Sequence, residues 1–165
     1  MDERGSKDQK IIYQYLKELY PTYEIIYEFQ LYEIKQRIDI FIPYLGIAVE
    51  YNGRQHYEYV EHFHRDMNGF NLSKFLDNKK QEYLYEKGIK IIYIPYNEMV
   101  NSKEELQTLI EKTPYPDFEY TLLEEININK KQELKKQSQQ RKDYRKKMKK
   151  ELNDRVFSKT QSEEK

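Results

Sequence analysis

QRIDIFIPYLGIAVEYNGRQHY, residues 36–57, holds the pattern around which the rest of the chain is organised. Ile38, Ile40 and Ile42 recur at a period of two, which marks a strand. Pro43-Tyr44-Leu45-Gly46 has the composition of a turn, and Ile47–Tyr51 is a second apolar run. The two runs predict a hairpin, with Asn52-Gly53 turning the chain at its far side. On the first strand the three isoleucines take one face, so Asp39 shares the other with Phe41. On the second, Glu50 lies in line with Ala48, while Ile47 and Val49 face away.

Outward from the hairpin, helices and strands alternate. Upstream, Ser6 caps a helix whose apolar positions Ile12, Tyr15, Leu16 and Leu19 have helical spacing, ended by Pro21. A strand follows at Tyr23–Leu31. Downstream, residues 57–70 lack periodicity and predict a loop that carries His62 and His64. Leu72–Lys87 predicts a helix with Phe75, Leu76, Lys79, Tyr83 and Leu84 on or beside one face, stopped by Gly88. Lys90–Pro95 (KIIYIP) is a buried strand bounded by glycine and proline. Ser102 caps a third helix through Glu111, with Glu105 placed for a capping box. Pro114 and Pro116 break the chain, and from about Tyr120 a long polar helix follows. The expected architecture is an α/β domain over 1–116, with a central mixed β-sheet flanked by helices, then a basic helical C-terminal extension over 117–165.

Composition narrows the class of protein. Of 165 residues, 38% are hydrophobic and 35% charged, enough for one core under a heavily charged surface. Cysteine is absent, which removes disulfides and thiolate zinc sites. No stretch approaches the roughly 18 apolar residues of a membrane span, and the charged start MDERGSKDQK is not a signal peptide. These features predict a soluble, cytoplasmic protein with no membrane partner. The net charge of zero conceals an uneven distribution: Lys130–Lys159 holds 13 basic residues against 4 acidic.

Asp39 and Glu50 are the residues that a core does not explain. In a sheet covered on both sides, an unpaired carboxylate is expensive, and two on adjacent strands repel unless a cation lies between them. A hard divalent ion answers both problems, because Mg²⁺ takes one or two carboxylates and keeps several waters. A sheet face open to water would instead make both acids ordinary surface residues. His56, six residues past Glu50 across a tight turn, has the pKa range for acid or base work beside such an ion.

An Asp in a strand, ten intervening residues and then Glu resembles the PD-(D/E)xK nuclease core. The string Glu50-Tyr51-Asn52-Gly53-Arg54-Gln55-His56-Tyr57, then Asp77, Lys80 and Tyr83, then Ile94-Pro95-Tyr96, is similar to a phage branch of it. That branch contains the very-short-patch-repair endonucleases and the homing endonucleases with an E-D-x-H-D signature. The resemblance covers residues 6 to 100 and implies a restriction-endonuclease-like core and a metal-dependent DNA endonuclease using Mg²⁺, which Mn²⁺ replaces. It implies Asp39 as principal metal ligand, completed by Glu50 or the Tyr51 backbone carbonyl, with Asp8 or Gln9 at the place of a first-helix acid. His56 would activate water or protonate the leaving group, and Gln55 would orient the phosphate or the histidine. Asp77 and Lys80 would face the site, with Lys80 or Arg54 steadying the phosphate. Two departures stand out. The family's lysine is Asn52 here, and the cysteine-histidine zinc site of mismatch-repair members is missing.

Beside such a core, Lys130, Lys131, Lys135, Lys136, Arg141, Lys142, Arg145, Lys146 and Lys147, with Lys149 and Lys150, predict contact with a DNA backbone. The thin stripe Leu134–Tyr144–Met148–Leu152–Val156 offers the same helix another use, as a homodimer contact. Alternatives to the enzyme are a catalytically weak nucleic-acid-binding protein of the same fold and a coiled-coil interaction module.

Overall fold

The structure, a computed structural model, describes residues 6–53, 58–60, 66–98 and 100–163, with side chains through 150. Among these the elements are α1 (Lys7–Leu19), β1 (Ile26–Leu31), β2 (Gln36–Ile42), β3 (Ile47–Asn52), α2 (Met67–Glu86), β4 (Lys90–Pro95), α3 (Lys103–Lys112) and α4 (Leu123–Glu163). The four strands form one mixed sheet in the order β1-β2-β3-β4. The first three strands are antiparallel neighbours, and β4 joins β3 in parallel after the crossover through α2. The predicted hairpin is present, closed by a 3₁₀ turn at Pro43–Leu45 with Gly46 in the left-handed conformation at φ 59°.

Each face of the sheet has its own apolar layer. One gathers Ile40, Ile42, Ile47, Val49, Ile92 and Ile94 against Ile12 and Leu16 of α1 and Leu106 and Ile110 of α3. The other gathers Phe29, Leu31, Ile38, Phe41 and Ala48 against Leu84 of α2 and Leu123 of α4. The facing of residues 47–49 agrees with their alternation, but Ile38 does not join Ile40 and Ile42. Across from Asp39, Glu28 holds φ 57°, and the β1–β2 ladder passes from Tyr27↔Ile40 to Phe29↔Ile38 without a Glu28/Asp39 pair. A left-handed residue interrupts the pleat, so facing resets there.

Three further expectations are corrected. The strand before the hairpin starts at Ile26 rather than Tyr23. The second helix starts at Met67, five residues earlier than the periodicity suggests, because Asp66 caps it through the Gly69 amide. On that helix Phe75 and Leu76 are exposed and only Leu84 is buried, since its sheet-facing side carries polar residues instead. The capping box occurs at Ser6 and Gln9 of α1, each accepting from the other's amide. At α3, Ser102 caps Glu105, but the Glu105 carboxylate reaches the Asn101 amide rather than that of Ser102.

The chain divides into two compact units, residues 1–126 and 127–165. The first continues past Pro116 because 118–123 is fastened to the sheet domain. Thr121 donates to the Lys87 carbonyl at 2.9 Å, the Tyr120 hydroxyl donates to the Pro43 carbonyl, and Leu123 is buried. No described helix is long and apolar enough to cross a membrane.

Candidate active site

The β2–β3 ladder runs Ile42↔Ile47, Phe41↔Ala48, Ile40↔Val49 and then stops. Its next position would set Asp39 opposite Glu50. Asp39 therefore sits where pairing lapses on both sides of β2, toward Glu28 and toward Glu50. A backbone amide freed there still needs an acceptor. The Asp39 carboxylate supplies it, with Oδ2 accepting from the Tyr51 amide at 2.8 Å.

Glu50 and Lys90 are the buried charged residues among those described. Lys90 donates to the Ile110 carbonyl at 3.0 Å and lies 4.1 Å from the Tyr115 ring centroid, so its charge is accommodated. Glu50, 4% exposed, is accommodated on one oxygen only. Its Oε2 accepts from Lys80 Nζ at 2.6 Å, and the same ammonium donates to the Arg37 carbonyl at 3.1 Å. Its Oε1 is buried and has no hydrogen-bond partner among the described residues. Burial pushes the Glu50 carboxyl up to about 7; the Lys80 ammonium and the Asp39 backbone amide pull it down, and the Asp39 carboxylate pushes it further up.

These groups open onto a cleft of about 600 Å³ lined by Glu50, Asn52 and Tyr93 from the sheet, and by Lys74, Asp77, Asn78, Lys80 and Gln81 from α2. The structure thus brings together Glu50, Asp77 and Lys80 at the cleft, with Asp39 beside Glu50. Asp8 does not line this cleft; it is tied to the same strand from another side, its carboxylate accepting from the Tyr51 hydroxyl at 2.8 Å beside Ile11, Ile12 and Ile94. Tyr51 therefore binds one carboxylate through its amide and another through its side chain. Gln9 is engaged in the α1 cap and accepts weakly from the Tyr27 hydroxyl at 3.4 Å. Arg54, Gln55 and His56 lie outside the described residues, as do His62 and His64.

Sequence reasoning placed Asp77 and Lys80 at the site but missed the Tyr51 hydroxyl and the rest of the polar wall of α2, Lys74, Asn78 and Gln81. A usable signal for the wall was present, because Lys74, Asp77, Asn78 and Gln81 follow i, i+3, i+4, i+7 spacing. That spacing finds a polar face as readily as an apolar one.

As to cation binding, no three His, Asp or Glu side chains converge among the described residues. Two carboxylates do, and Mg²⁺ accepts such a pair with water in its remaining positions. The partnerless Glu50 Oε1, which burial makes costly to leave bare, is the observation that fits a cation.

Two curated viral proteins are similar to part of this chain. One is "Uncharacterized protein 033L" of Invertebrate iridescent virus 3, 39% identical over 59 residues. The other is "Uncharacterized protein 307L" of Invertebrate iridescent virus 6, 36% identical over 59 residues. Each match takes in 36% of this chain and spans 30% of the relative's length. No protein-family model matches the chain, and no solved structure does.

Proposed function

We propose that this protein is a metal-dependent endodeoxyribonuclease of the PD-(D/E)xK type, with a restriction-endonuclease-like core around β2, β3 and α2. The observation that carries the reading is the grouping of Asp39, a buried Glu50 with one unsatisfied oxygen, and Lys80 at the wall of an open polar cleft. Asp39 and Glu50 would hold Mg²⁺ or Mn²⁺. Bound there, the ion supplies Lewis-acid polarisation of a phosphate and a water acidic enough to deprotonate near neutral pH.

This chain's own residues have separable tasks. Lys80 brings a positive charge from α2 to the place where the family pattern puts a lysine from the strand, now Asn52. That charge steadies the phosphate as negative charge accumulates on it. Lys74 adds a second cation to the cleft wall, in a position to receive an anionic backbone. The Tyr51 amide fixes the Asp39 carboxylate, and its hydroxyl ties Asp8, so α1 and β3 are set with respect to the site. His56 and Gln55 take their roles of proton transfer and orientation from the motif alone.

A nucleic-acid-binding protein of the same fold that does not cleave is favoured by one fact, the absence of a third metal-ligating side chain among the described residues. Supercoiled plasmid separates the two readings. The nuclease relaxes or linearises it in Mg²⁺ or Mn²⁺, stops in EDTA, and is inactivated by Asp39→Ala and by His56→Ala. Retained DNA binding with no cleavage, on plasmid and on a tiled viral genome alike, would establish the non-cleaving alternative.

A further inference from the structure

Residues 127–150 of α4 are exposed around nearly the whole helix, so what the helix offers a partner is set by the placement of its charges. These are segregated. At about 100° per residue, Lys131, Lys135, Arg141, Lys142, Arg145, Lys146 and Lys149 fall within an arc of roughly 140°. Glu133 and Asp143 lie outside that arc, on the other side of the helix. Both are used there in contacts along the helix: Glu133 accepts from Lys130 and Gln137, and Asp143 from Gln139. Lys136 and Lys147 stand on the acidic side, one turn from Glu133 and Asp143 respectively, where those carboxylates offset them. The outcome is one face with seven cations and no acid, and a remainder where Lys130, Lys136, Lys147 and Lys150 are partly offset by Glu133 and Asp143.

We propose that this positive face is a docking surface for the phosphate backbone of duplex DNA, read without regard to base sequence. Its chemistry selects the partner. Membrane-surface helices set an apolar face against their basic one. Here Ile128 lies at one edge of the basic arc and Leu134 and Met148 at the other. Tyr144 stands alone on the back, and the rest of the back is Gln, Asn, Glu, Asp and Lys, so no continuous apolar face exists between 127 and 150. Single-stranded nucleic acid is held by rows of stacking aromatics, and between 127 and 150 Tyr144 is the sole aromatic. Lysine predominates over arginine on this face, and it engages phosphate as a point charge rather than reading base edges. From Lys131 to Lys149 the helix extends about 27 Å, which matches about eight base pairs of duplex axis. The choice of DNA as the polyanion rests on the nuclease reading above; the charge segregation does not.

The test is fluorescence anisotropy of a 30-base-pair duplex with the full chain in EDTA, across a salt series. The front variant replaces Lys131, Lys135, Lys142 and Lys146 with glutamine; the back variant replaces Lys136 and Lys147 the same way. All six residues are exposed, and circular dichroism confirms that helix content is retained. The front variant should flatten the slope of log K against log salt by about three to four, and the back variant by less than one. Equal loss per charge in both variants would overturn the directional face. Tighter front-face binding to a single strand of the same length, or to phosphatidylserine vesicles, would overturn the duplex assignment. Cleavage is read separately in Mg²⁺. A nuclease whose front variant binds like the wild type sinks this proposal alone, and a face-dependent binder that never cuts sinks the nuclease reading alone.

Discussion

Glu50 carries a cost in the folded chain that a bound cation would offset. Its carboxyl, buried and held up to about 7, prefers its proton in the folded chain far more than in the unfolded one. A raised carboxyl pKa favours folding below the unfolded value, and that advantage is lost as pH rises through the folded value. In EDTA, this group should therefore make the wild type lose stability between about pH 4.5 and 7. Glu50→Gln should flatten that decline, as melting curves over the range would show; an unchanged profile would mean Glu50 is not the titrating group. The necessity for Asp39 and Glu50 to be unusual was legible in the sequence, because alternation placed both on covered faces. The lapse of pairing that lodges Asp39 was not, since it depends on the left-handed Glu28, and no propensity marks a glutamate for that conformation.

Among the elements, α1 was legible in its facing as well as its extent, with Ile12 and Leu16 buried and Tyr15 and Leu19 packed beside them, whereas the facing of α2 was not. The periodicity of α2 suggested an apolar side with Phe75 and Leu76, yet its sheet-facing side is given to Lys80 and Asp77. Polar side chains facing the cleft replaced the packing signal on which the expectation rested. Strand β4 was legible from composition, because a buried parallel strand is a nearly continuous apolar run, here 91–94 after Lys90. The turn between α2 and β4 depends on Gly88 at φ 69°, where an added Cβ would meet the Phe118 carbonyl oxygen at 2.5 Å. Neither the backbone angle nor the neighbouring backbone tolerates a side chain. Gly88→Ala should cost about 2 kcal/mol or more, seen as a lower urea midpoint with an unchanged slope. A midpoint equal to the wild type would show that segment 118–120 moves aside freely.

For the whole molecule, the boundary between core and extension lies later than the prolines suggest. Burial of Leu123 and the bonds of Tyr120 and Thr121 make 117–126 part of the sheet domain. A chain ending at residue 126 should melt near the temperature of the full protein, whereas one ending at 116 should be destabilised by about 2–5 kcal/mol from Leu123 alone. Equal melting of both fragments would contradict that division. Prolines mark where a helix stops, and burial decides where a domain does; the sequence displays the first more openly than the second. The central claim, that Asp39 and Glu50 share one divalent ion, can be measured without knowing any recognition sequence. Electron paramagnetic resonance of Mn²⁺ titrated into the protein at pH 8 counts bound ions directly. The account predicts one ion per chain, with affinity at least about tenfold weaker in both Asp39→Asn and Glu50→Gln. Asp77→Asn should change it little. Equal binding by wild type and both carboxamide variants would contradict the account.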